Sequence, residues 1–217
     1  MNDSIYLSHP LNAKTPAYKG GEGLIVKREK SIACGDTCNQ LHVSMSNHLG
    51  THVDAPSHFV DQGKTLTDYE AKDWVFSHPF LVHCDIEPGG SITQEFLKNH
   101  IHPDKNVDLL LLKTGMENHR DTPIYWESSP IIHASIVAML NEYFPNLKAI
   151  GLDVISVTSL LDRDQGRQIH QALLGKGIRI FEDVALNHIQ TPIKEVIALP
   201  LMLESADGAP VTMIGTV

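Results

Sequence analysis

The sequence predicts an α/β domain on a mixed sheet, strand-rich in its N-terminal part and βαβ-like in its C-terminal half. Three observations carry that expectation. The first ninety residues hold β-branched, alternating stretches punctuated by glycine and proline, whereas after Ser91 helix-period segments alternate with short apolar runs. No repeat, low-complexity tract or Ser/Gly linker divides the 217 residues, so 1–217 is read as a single domain. Its 42% hydrophobic content is enough for a full core without staples.

In chain order, "GLIVKREKSIA" and "QLHVSMSNHLG" are expected as strands, and "HPFLVHCDIE" as a short apolar strand stopped by Pro88-Gly89-Gly90. "SITQEFLKNH" is a helix opened by a capping box of Ser91 and Gln94. "VDLLLLKTG" has no polar alternation, as befits a strand buried on both faces. Then come a helix at "HASIVAMLNEYF", a strand at "LKAIGLDV", a glycine-closed helix at "DQGRQIHQALLGKG" and a strand at "IRIFEDVAL", a rhythm that implies parallel strands. "EVIALPLMLES" and "APVTMIGT" pair across Ala206-Asp207-Gly208.

A net charge of −9 without any block of like charges argues against nucleic acid or an anionic membrane surface and favours a small-molecule partner. No apolar run is long enough to span a bilayer. The start "MNDSIYLSHP" lacks a secretory pattern, and Cys34, Cys38 and Cys84 cannot all pair within one chain, so a cytoplasmic protein with reduced thiols is expected. Cys34 and Cys38 lack the second ligand pair that a zinc site would need, and are read as plain thiols.

The chemistry concentrates in "HLGTHVDAPSHF", His48 to Phe59, three histidines and an aspartate within twelve residues. Gly50, Thr51, Val53 and Pro56 disfavour a helix. As an extended segment it puts His48, His52, Asp54 and His58 on one side and Leu49, Thr51, Val53 and Ala55 on the other. In a straight strand the α-carbons of His48 and His52 would be roughly 13 Å apart, too far for comfortable sharing of one ion. Gly50, midway, can supply the bend, and Pro56 turns the chain so that His58 sits at the rim. Imidazole and carboxylate together suit a divalent transition metal.

The same residues, His48-x-Gly50-Thr51-His52-x-Asp54-Ala55-Pro56-x-His58-Phe59, resemble the signature of the cyclase family of metal-dependent hydrolases, which includes bacterial kynurenine formamidase and isatin hydrolase. "LSHPL", "GLDVISV", the segment from His170 to Glu182 and the terminal "ADGAP" extend the resemblance over most of the chain. It implies a swivelling β/β/α fold, a homodimer or higher homo-oligomer, and a centre of one or two ions, Zn2+ or alternatively Mn2+. It further implies that His48, His52 and Asp54 bind the first ion, that Asp54 bridges to a second held by His170 and Glu182, that His58 transfers protons, and that Tyr18 contacts substrate. The reaction implied is hydrolysis of an amide-type C–N bond in a small aromatic or cyclic compound, arylformamidase-like. The chain departs from the family's formamidases where Tyr18 replaces a tryptophan and where Val211-Thr212 replaces an arginine-containing end, which implies an altered substrate pocket.

Two rival readings use the same donors. His52-x-Asp54 with a distant histidine could form the triad of a non-haem Fe(II) oxygenase with Arg179 as co-substrate anchor, although helix and strand alternation argues against that enzyme class. The other is a non-catalytic metal or small-ligand binder.

Overall fold

The computed structural model describes residues 3–217. The chain opens with β1 (Ser4–Tyr6) and then forms a ribbon of β2 (Ile25–Lys30) and β3 (Gln40–Ser44), both exposed along their whole length. β4 (His52–Asp54) is buried at every residue, and β5 (Val75–Phe76) and β6 (Pro79–His83) follow. After β7 (Ser91–Ile92) and α1 (Gln94–Lys98) come β8 (Leu109–Lys113), α2 (Ile124–Glu127), β9 (Ile131–Ile132) and α3 (Ile136–Tyr143). The chain finishes with β10 (Ala149–Leu152), α4 (Arg163–Leu174), β11 (Arg179–Glu182), β12 (Glu195–Pro200) and β13 (Gly208–Thr216).

Nine of these strands form one mixed sheet in the order β5-β12-β13-β4-β11-β10-β8-β6, with β1 also on β13. β6, β8, β10 and β11 are mutually parallel, as the βαβ rhythm predicts, and α1, α3 and α4 lie in the three crossovers. β4 then runs antiparallel between β11 and β13. The two end strands, β5 and β6, are separated in sequence by Ser77 and His78 alone, so the sheet curls until its ends nearly meet. Asp108 holds that seam, accepting hydrogen bonds from the backbone N–H of Ser77 at 3.1 Å and of His78 at 3.0 Å.

Apolar side chains fill both faces of the sheet. Along β8, Leu110 and Leu112 join the cluster under the helices with Ile150, Leu140 and Ile169, while Leu109 and Leu111 point inside the curl toward Val53, Phe76 and Phe181. That two-sided burial explains the unbroken apolar run.

Local boundaries differ from expectation in three places. Ser91 lies in β7, and the cap of α1 is Thr93, whose Oγ1 accepts from the Phe96 N–H at 3.2 Å. Of the twelve residues from His48 only His52–Asp54 are strand, because the bend at Gly50 and the single 3-10 turn Pro56–His58 cut it at both ends. His83, expected in a buried strand, is at the exposed end of β6.

Candidate metal centre

β4 places His52 and Asp54 on one face, and its pairing with β11 sets Glu182 directly opposite His52. His170 reaches the same point from α4, completing a buried group in which none of the four is more than 3% exposed. His48 arrives by the bend. Gly50 takes φ +67°, a conformation that favours glycine, and a side chain there would also push the end of Leu11 aside. Gly208 matters for a different reason, since a β-carbon at that position would run into the His48 ring.

The rings are oriented from behind. His52 Nδ1 donates to the Gly50 carbonyl at 2.8 Å and His170 Nδ1 to the Gly166 carbonyl at 2.7 Å, which turns both Nε2 atoms toward the carboxylates. His52 Nε2 lies 3.5 Å from Asp54 and 3.3 Å from Glu182, and His170 Nε2 lies 3.4 Å from Asp54 and 3.6 Å from Glu182. Glu182 is fixed in turn by the Val157 N–H at 2.7 Å and the Ser156 hydroxyl at 3.0 Å. The next residue, Asp183, adopts φ +53° and is clamped by Arg120 at 2.8 and 2.7 Å and by the Tyr125 hydroxyl at 2.6 Å, which pins the end of β11.

Burial alone would push these imidazoles down and the carboxylates up, but their mutual contacts win. Asp54 is held well below the usual carboxylate range by His170, His48 and His52 despite its burial. His170 is raised to about 10 by Asp54 and Glu182 against the same burial.

The donor set fits a divalent cation on geometry. Ligand atoms of His52, Asp54 and Glu182 all lie within 4.8 Å of one another, as do those of His48, Asp54 and His58. An ion midway between atoms about 4 Å apart would lie about 2 Å from each, the ordinary bond length of zinc to nitrogen or oxygen. Asp54 is common to both groups.

His58 ends the 3-10 turn begun by Pro56 and stacks on His48 with ring centres 4.1 Å apart. Its Nδ1 is 2.7 Å from Asp207, an aspartate with no role in the expected ligand set. Asp207 also approaches His48 Nε2 at 3.2 Å and accepts from the Asn47 side chain at 2.7 Å, so one carboxylate ties two histidines together. Its signal lay in the terminal "ADGAP", read only as a turn and an echo of the family. Among the other histidines, His83, His100, His102, His119 and His188 fall in neither donor group. Cys34 and Cys38 are free and exposed, and Cys84 is free and buried.

A cavity of about 560 Å³ opens over the centre, lined by His48, His52, His170 and Glu182, with Leu49, Phe59 and Ile155 as apolar walls. Phe59 stacks on His170 at 4.3 Å. Tyr18 lines the same cavity from a 3-10 turn, Tyr18–Gly20. Arg179 does not reach it. That residue faces the opposite side of β11, 2% exposed, with its guanidinium 4.7 Å from the Tyr69 and Trp74 rings, which removes it as a co-substrate anchor.

A sequence model of the family described as "Putative cyclase" matches residues 5–159. The chain belongs to this cyclase family. Its curated relatives include the kynurenine formamidase of Bacillus thuringiensis (strain Al Hakam), 32% identical over 97% of this chain and 95% of that one. Among solved structures, isatin hydrolase A from Labrenzia aggregata bound to benzyl benzoate superposes with a TM-score of 0.83 at 20% identity, covering 100% of this chain and 94% of that one. A potential metal-dependent hydrolase with cyclase activity gives 0.77 at 21% identity, covering 100% and 98%. These two share the fold of this cyclase-family chain, a mixed sheet with few helices.

Proposed function

We propose that this protein is a metal-dependent hydrolase of the arylformamidase type, cleaving an amide C–N bond in a small aromatic or cyclic substrate. The observation that carries the reading is the convergence of His48, His52, Asp54, His170 and Glu182 at the base of an apolar-walled cavity, with His58 beside them. The kinship with kynurenine formamidases supports the substrate class, making N-formyl-kynurenine, cleaved to kynurenine and formate, the first compound to test.

His48, His52 and Asp54 would hold one ion, with Asp54 bridging to a second at His170 and Glu182; Zn2+ suits this mixture of imidazole and carboxylate, and Mn2+ is the alternative. When bound, a divalent cation lowers the pKa of water toward about 7 and polarises a carbonyl. His58 supplies the proton traffic: held by Asp207, its ring can pass a proton to the departing amine. Leu49, Phe59 and Ile155 exclude water around an aryl group, and Tyr18 packs on its exposed side.

The test is elemental analysis of protein purified without added metal, followed by hydrolysis of N-formyl-kynurenine, formanilide and a lactam. Turnover that stops on chelation and returns with Zn2+ or Mn2+ is expected. Metal-loaded protein inert toward all three would defeat the proposal. His58→Ala separates an enzyme from a binder, because it should lower kcat at least a hundredfold in protein whose metal, held by His48, His52, Asp54, His170 and Glu182, is verified by elemental analysis.

We also propose a homodimer. Val26, Leu41 and Val43 lie on one face of the β2–β3 ribbon, each about half exposed, and an isolated two-stranded ribbon is barely stable unless covered. A cytoplasmic setting agrees with three free thiols. No helix among the described residues is long and apolar enough to cross a membrane.

A further inference from the structure

Arg163, Arg167 and His170 occupy positions i, i+4 and i+7 of α4, so they fall along one stripe of the helix. All three line the same cavity. At 1.5 Å of rise per residue, the α-carbons of Arg167 and Arg163 lie about 4.5 Å and about 10 Å along the axis from that of His170. Both arginines are exposed at the mouth, whereas His170 is buried at the base.

Their partners differ. Arg167 pairs with Asp164 on its own helix, and Arg163 has no hydrogen bond or ion pair among the described residues. Across the mouth, the Tyr18 hydroxyl is shielded from solvent yet has no hydrogen-bond partner. Tyr18, Arg163 and Glu182 line the same cavity; burial pushes the phenol up, the charge of Arg163 acts in the opposite direction, and that of Glu182 adds to the rise. A buried hydroxyl left unpaired is costly, so this arrangement makes sense with an acceptor bound. Glu22 also lines the cavity but is exposed, and with Arg167 paired to Asp164 the guanidinium left without an ion-pair partner among the described residues is that of Arg163.

We infer that Arg163, with the Tyr18 hydroxyl and Arg167, forms an anion subsite at the cavity mouth that grips a carboxylate carried by the substrate. The substrate is then an acidic N-acyl aryl amine rather than a neutral anilide or lactam. This deepens the hydrolase reading and rests on it for the position of the scissile bond.

Steady-state kinetics with N-formyl-kynurenine, which carries a carboxylate, and formanilide, which does not, test the inference on wild type, Arg163→Ala, Arg163→Lys and Tyr18→Phe. Arg163→Ala should raise KM for the acidic compound about ten- to a hundredfold, the range for one charge-assisted contact, and lower the acid-to-neutral ratio of kcat/KM by the same factor. Arg163→Lys should recover part of the loss, and Tyr18→Phe should show a smaller one. A ratio within threefold of wild type in Arg163→Ala overturns the subsite. Calorimetric titration with kynurenine gives a readout that needs no turnover: at least tenfold weaker binding to Arg163→Ala supports the inference, and equal affinity overturns it. If metal-loaded wild type cleaves neither of these compounds nor the lactam, the hydrolase reading falls, and this titration still decides the subsite.

Discussion

Asp207 joins histidines that the sequence separates widely, His48 by 159 positions and His58 by 149. Its neighbour Gly208 makes room for the His48 ring. Asp207→Asn keeps the shape and removes the charge, so kcat/KM should fall about ten- to a hundredfold while the melting temperature moves little, measured by turnover and calorimetry. Gly208→Ala should be worse for metal than for catalysis alone: the added methyl displaces His48, and metal content at limiting zinc should drop, with about 1–3 kcal/mol of stability lost to overpacking. Cys84 offers a check remote from the site. Burial pushes its thiol up to about 12, so at pH 8 a native-state alkylation count should find Cys34 and Cys38 modified and Cys84 spared. The sign for stability follows: below the unfolded thiol's pKa of 9.0 nothing is lost, and between there and about 12 the unfolded chain releases a proton that the folded one keeps, so stability declines over that window. His48, His52 and Asp54 were legible because their donors are local in sequence. Asp207 was not, since "ADG" spells a turn equally well and its partners are brought to it only by the pairing of β13 with β4.

At the level of elements, apolar runs and glycine stops gave β8, α3, β10, α4 and β11 nearly in place, because burial on both faces of a parallel sheet leaves a continuous signal. Short elements were harder. β4 has three residues and derives its place from two flanking partners, information that no window along the chain contains. The β2–β3 ribbon was legible as strands, yet alternation could not tell that both strands stay exposed along their whole length. Charging its apolar face tests the proposed dimer: Leu41→Lys with Val43→Lys should halve the mass seen in sedimentation while leaving the monomer's circular dichroism intact. Unchanged mass would move the interface elsewhere.

Over the whole molecule, the sequence implied a mixed sheet but not its curl, which depends on β5 and β6, adjacent in sequence, lying at opposite ends of the strand order. Asp108 is the fastening. Asp108→Ala strands two backbone N–H groups at a partly buried seam, and about 1–3 kcal/mol of stability should go with it, lowering the melting temperature by several degrees without altering substrate preference. β4, meanwhile, is laced on both flanks and buried throughout, so it offers no edge from which to fray. Its amide protons should be among the slowest in the protein to exchange with deuterium. If the proposed centre is a pocket framed in advance by the sheet, metal-free and metal-loaded protein should show the same slow exchange at β4, and an ion would arrive at a ribbon already folded.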